Sequence, residues 1–156
     1  MTDDLVHRRT QIRRGAKALL RFLEAGHGNV FVGRSWPTGL DKLPALLIDT
    51  PIEQSSHATM GAGTILQDRR QQLKVQGRLA GTDDEIILDQ LDEMARQVEA
   101  KLLTADAVDA LGLKAIELVG TTTAPIRAET DHRLGTIEMT FVCTHATVEG
   151  APHIAA

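Results

Sequence analysis

With 156 residues, 42% hydrophobic and 24% charged, the chain suits one domain with its own apolar core. A net charge of −4 argues against a global nucleic-acid footprint, and an aromatic content of 3% with no tyrosine weakens any base-stacking role. The single cysteine, Cys143, excludes an internal disulfide and a paired-cysteine zinc site, and fits a reduced cytosolic folding compartment.

The first helix is expected over Asp3 to Ala25. Leu5, Ile12, Ala16, Leu19 and Leu23 form its apolar stripe. Arg13, Arg14, Lys17 and Arg21 cluster opposite, with Arg8 and Arg9 nearer the edges. Asp3 and Asp4 suit the first turn, and Gly26 and Gly28 end the helix. The basic side reads either as a contact for DNA or an acidic partner, or as a solvated face.

Val30-Phe31-Val32 is a short strand, and Gly33 to Gly39 a loop. Trp36, held extended before Pro37, is either an interface anchor or folded back on the core. The unbroken apolar run Leu43 to Ile48 predicts a strand covered on both faces, and Pro51 stops it. Ile52 to Asp68 is polar and carries glycines, including Glu53, Ser56, His57, Met60, Gly61 and Gly63. So long a loop between strands predicts the tip of a projecting hairpin or an arm. Gly61-Ala62-Gly63 is a poor phosphate cradle, since a strand follows it instead of a helix.

From Leu73 to Leu79 every second residue is apolar or glycine, which marks a strand with one buried face. Thr82 and Glu85 predict a capping box, with Asp83, Asp84 and Glu85 favourably placed in the helix's first turn. Ile87, Leu91, Met94, Val98 and Leu102 then recur at helical spacing, so this helix lies on the sheet. A helical turn from Thr104 to Leu111 closes at Gly112. Lys114 to Val119 is a strand, broken by Gly120 to Pro125, with a turn at Asp131-His132. Leu134 to Thr147 is a further strand with Ile137, Met139, Phe141 and Cys143 inward. Residues 148–156 are expected to be a loose tail.

Neither the six scattered histidines nor either serine considered, Ser35 or Ser55, makes a recognisable catalytic pattern. His145 continues the inward register of the last strand and reads as a rim histidine sooner than a ligand. No enzyme activity, cofactor or metal is expected, and no window approaches the roughly 20 apolar residues of a membrane span. The expected fold is α+β. It is a single domain with a mixed, mostly antiparallel sheet of about four to five strands. Two main helices pack on one face, and a long hairpin loop projects.

The order of these segments resembles the tail terminator (minor tail, tail-completion) family of long-tailed bacteriophages and gene-transfer particles. The resemblance runs from about Arg14 to Thr147. It rests on Val32-Gly33-Arg34, Leu43-Pro44-Ala45-Leu46, Leu73-Lys74-Val75 and Met94-Ala95 with Val98-Glu99 before Leu102-Leu103. Leu111-Gly112-Leu113 and Gly135 to Thr144 complete it. Leu113 stands where the family often has a second glycine, and Cys143 where it has a tyrosine. The resemblance implies a virion tail protein assembled in the host cytoplasm. Such a protein forms a homo-oligomeric ring, expected to be a hexamer, that caps the tail tube and meets a head connector. DNA passes through the lumen without sequence-specific binding. Arg13, Arg14, Lys17, Arg21, Trp36, Glu53, Ser56, His57, Met60, Gly61 and Gly63 are then the expected interface residues, with the arm reaching toward the tube. A head-side connector and a small DNA-binding module are the alternatives.

Overall fold

The computed structural model describes residues 6–33, 39–58, 63–129 and 131–156. The chain begins with helix α1, Arg8–Leu20, and a 3-10 turn at Glu24–Gly26. Strands β1 (Val30–Val32), β2 (Ala45–Asp49), β3 (Glu53–His57) and β4 (Leu66–Gly81) follow. Helices α2 (Asp84–Leu102) and α3 (Ala105–Ala110) lead to β5 (Ala115–Glu129), β6 (His132–Val148) and β7 (Ala151–Ala155).

The sheet is built on β4 and β6, which pair antiparallel from Leu66↔Val148 to Gly81↔Arg133. Shorter strands share their outer edges. On the free side of β4, β2 covers Lys74 to Arg78 and β3 covers Gln67 to Gln71. On the free side of β6, β5 runs from Thr144 to the hairpin turn and β7 takes Thr147 and Val148. β1 lies parallel to β2 at one edge. The seven strands make one mixed, mostly antiparallel sheet, two more strands than the upper expectation.

The alternation along β4 and β6 decides which face is covered. Leu73, Val75, Leu79, Ile137, Met139, Phe141 and Cys143 point to the helices and are buried. From α2 they meet Ile87, Leu91, Met94, Val98 and Leu102, the stripe that the helical spacing predicts. Ile12, Ala16 and Leu20 of α1 complete the core. Gly77 is needed where α2 comes nearest: a Cβ there would sit 2.2 Å from Met94 Sδ.

Four expectations need correction. The helix N-cap is Asp83, whose Oδ1 accepts from the Glu85 and Ile86 amides, and not Thr82. Asp83 is extended, so its carboxylate turns back over the first turn. The stretch Ile52 to Asp68 is not one long loop: the hairpin form of the expectation holds, with β3 and the start of β4 as its paired arms and the Ala58 amide donating to the Leu66 carbonyl. Gly120 to Pro125 does not end a strand. β5 continues through it, with register shifts between Leu118 and Gly120 and between Ala124 and Arg127. The second shift carries Pro125, which an edge strand tolerates because it has no inner ladder bond to supply there. Residues 148–156 are not a loose tail, since β7 pairs with β6 and the Ala156 amide donates to the Ala146 carbonyl.

The first helix is also shorter than expected. His7 caps it, its Nδ1 accepting from the Arg9 amide at 3.1 Å. The helix's first turn therefore holds no acidic residue; residues 1–5, with Asp3, Asp4 and Leu5, lie outside the described residues.

Candidate functional site

The arginines of α1 divide into two sets. Arg8, Arg9 and Arg13 are structural. Arg8 is buried and donates to the carbonyls of Leu111 at 2.8 Å and Gly112 at 2.7 Å, tying the helix to the end of α3. Arg9 donates to the Thr50 carbonyl at 2.8 Å, and Arg13 to the Thr50 and Thr10 hydroxyls. The Arg9 bond satisfies the Thr50 carbonyl where β2 gives way to β3. Arg14, Lys17 and Arg21 are the outward set, spaced i, i+3, i+7 on one exposed stripe. Arg21 sits 5.3 Å from the ring centre of Phe22, which is 83% exposed. Of the four basic residues expected at an interface, Arg13 is therefore partly spent within the fold.

The arm divides in the same way. Glu53 turns inward and pairs with Arg69, both little exposed. Arg69 also donates to Thr147 Oγ1 at 2.7 Å and to Gln67 Oε1 at 3.0 Å. Ser56 and His57 are exposed. His57 Nε2 lies 3.6 Å from Glu149 Oε1, which links the arm to the β6–β7 turn. Gly63 holds a φ of 143° with open space around it, a conformation that favours glycine. Trp36, Met60 and Gly61 lie outside the described residues.

Pattern reading reached His145 on the last strand but missed the rest of the layer behind the arm. Past Leu73 and Cys143 the inward positions continue as Gln71, Arg69 and Gln67 on β4, and His145 and Thr147 on β6. Gln71, His145 and Thr147 are buried. Neither ring nitrogen of His145 has a partner of good geometry, the Cys143 backbone offering only a weak one. Burial, and then the charge on Arg8, pull its pKa down to about 4, against the raising pull of Glu53. The imidazole is neutral at pH 7. On β4, carrying the period of two back six residues from Leu73 would have found its Gln71, Arg69 and Gln67.

The chemistry of these groups is not that of a nucleophilic site. Burial pushes the Cys143 thiol up to about 12, which leaves it un-ionised. Among the described residues no group of three or more His, Cys, Asp or Glu side chains is placed to hold a metal. No helix among them is long and apolar enough to cross a membrane.

The second charged surface is α2. Glu85, Asp89, Asp92 and Glu93 are exposed along it. Hydrogen bonds from Arg96, and then from Gln97, pull the Glu93 carboxyl down to about 2. Gln97 also accepts from the Ala25 amide at 3.0 Å, so that side of α2 faces the Glu24–Gly26 turn. Between them runs an open groove of about 640 Å³ with Pro44, Leu79, Ile86 and Met94 on its walls.

No family model matches the chain. No curated protein matches it either. Among solved structures, a similar chain belongs to the virion of a native gene transfer agent (GTA) particle. The two are 18% identical with a TM-score of 0.42, over 85% of this chain and 92% of that one. The likeness is too distant to carry a function across.

Proposed function

We propose that the protein is a structural subunit of a phage-like virion. In this reading it forms a ring, six-membered as the resemblance implies, on the end of the tail tube. The ring stops tube polymerisation and offers a surface to the head connector, and DNA passes through its lumen. The carrying observation is the ordered run of motifs that resembles that of tail terminators, whose strand segments fall on adjoining strands here. Val32-Gly33 lies at β1, Ala45-Leu46 on β2, Leu73-Lys74-Val75 on β4 and Gly135 to Thr144 on β6. The fold is compatible with this role. Its helices cover one face of the sheet, and a hairpin of β3 with β4 carries exposed Ser56 and His57.

Electron microscopy of particles assembled with and without the protein tests the reading. Overlong, headless tubes in its absence are the expected result. Tails of normal length that fail to join heads would replace the cap by a head-side connector.

A further inference from the structure

We propose that copies of this chain associate head to tail, the basic side of α1 on one copy meeting the acidic outer side of α2 on the next. This deepens the ring reading and rests on it. The two surfaces lie on opposite flanks of the helical layer.

Take the basic flank first. α1 packs over β1 and β2, with contacts also to β7, and β1 is one edge of the sheet. Gly15 backs onto Leu111, at the end of α3, so that side of α1 faces the rest of the domain. The row Arg9, Arg13, Lys17, Arg21 rises on the other side. Arg9 and Arg13 reach down to Thr50, while Lys17 and Arg21 stand exposed above them.

Now take the acidic flank. α2 packs over β4 and β6 and reaches β5, the opposite edge. Ile86, Gln90 and Gln97 face the Glu24–Gly26 turn beside α1. By helical spacing Glu85, Leu88, Asp92, Glu99 and Leu103 fall on the far side, above β5. The pair between Arg133 and Asp84 at the start of α2 anchors that side to β6. Glu85, Asp92 and Glu99 have no ion pair among the described residues, and neither does Lys17.

The acidic flank also exposes apolar side chains: Leu88 at 44% and Leu103 at 42%. Apolar area rimmed by charge is the composition of an interface. A patch that meets a different patch on the next copy is heterologous, and such contacts close into rings when the rotation permits. Opposite charges on the two flanks favour this order and disfavour like against like.

Sedimentation of the full chain and two charge-reversal variants tests the proposal. One variant carries Lys17→Glu with Arg21→Glu, the other Asp92→Lys with Glu99→Lys. Wild type should assemble at low salt and dissociate as salt shortens the screening length from about 10 Å at 0.1 M to about 3 Å at 1 M. Each variant alone should need roughly tenfold more protein to assemble. An equimolar mixture should recover assembly, because each flank then finds an opposite one. Lys17, Arg21 and Asp92 are exposed and Glu99 is half-buried, so circular dichroism of each variant should match wild type. A wild type that stays monomeric at low salt overturns the proposal. So does a variant that assembles normally, or a mixture no better than its parts. If assembly ignores these charges but tube ends are still capped, only this interface falls. If the mixture recovers while tubes grow unchecked, the cap reading falls and the interface stands.

Discussion

The face of the sheet beneath the helices is built differently at its two ends, although β4 and β6 run through both with one alternation. At the end under α2, Leu73, Val75 and Leu79 pair across from Phe141, Met139 and Gly135. At the other end, Gln71, Arg69 and Gln67 pair across from Cys143, His145 and Thr147. The covering element makes the difference. α2 brings only an apolar stripe. The second end lies under the start of α1, which brings His7 and Arg8 close enough to act electrostatically on Arg69 and His145. A period of two therefore fixes which side chains point inward, while the partner overhead sets whether they are apolar.

The largest expected effect is at the apolar end. Phe141 is fully buried in the core. Phe141→Ala should lower unfolding free energy by about 3–5 kcal/mol, since truncation removes transfer energy and leaves a cavity. Urea denaturation measures it. The loss should be the same at pH 7 and pH 5, because Phe141 does not titrate; a loss that varied strongly with pH would mean the two ends are coupled.

The polar end should respond to pH instead. His145 is held neutral, its pKa about 4 in the fold against an ordinary 6.5. Between those values the unfolded chain takes a proton that the folded chain refuses. The unfolded state is then favoured as pH falls, by at most about 1.4 kcal/mol per pH unit. The contribution is intact above 6.5 and spent near 4. His7 is lowered too, by burial first, and adds in the same direction. Carboxylates contribute to the total, so the comparison is between wild type and His145→Gln. Denaturant midpoints followed from pH 7 to pH 4 should fall less steeply in the variant. Identical slopes would mean that His145 is protonated or solvated in the fold.

This contrast also explains what could be read in the chain. Core positions from Leu73 to Leu102 and from Ile137 to Cys143 are legible because apolar residues repeat with the period of their element. β3 was not, because Glu53-Gln54-Ser55-Ser56-His57 is polar on both faces. Its stability as a strand comes from pairing with β4 and from Arg69, neither of which is local. β7 was hidden for the same reason: Ala151-Pro152-His153-Ile154-Ala155 has no pattern of its own and borrows the end of β6. At α1 the charge run was visible, but its division was not. Arg8, Arg9 and Arg13 are absorbed by carbonyls and hydroxyls, and Arg8's carbonyls lie over a hundred residues away.

The smallest effect concerns where α2 begins, and there two adjacent residues offer competing readings. Thr82 with Glu85 makes the sequence pattern of a capping box, but the first helical amides donate to Asp83 Oδ1, at 2.9 Å from Glu85 and 3.1 Å from Ile86. An N-cap side chain satisfies amides that the helix cannot, and its negative charge suits the positive end of the dipole. Asp83→Ala should therefore cost about 1 kcal/mol, the usual loss for an N-cap. Thr82→Ala should change stability little, because its hydroxyl caps no amide here. The pair of measurements is more informative than either alone, since a helix start can fray by a residue. Equal losses would mean that both caps are populated and that α2 begins in two registers. A loss only at Thr82 would restore the capping box and move the helix start back by one residue.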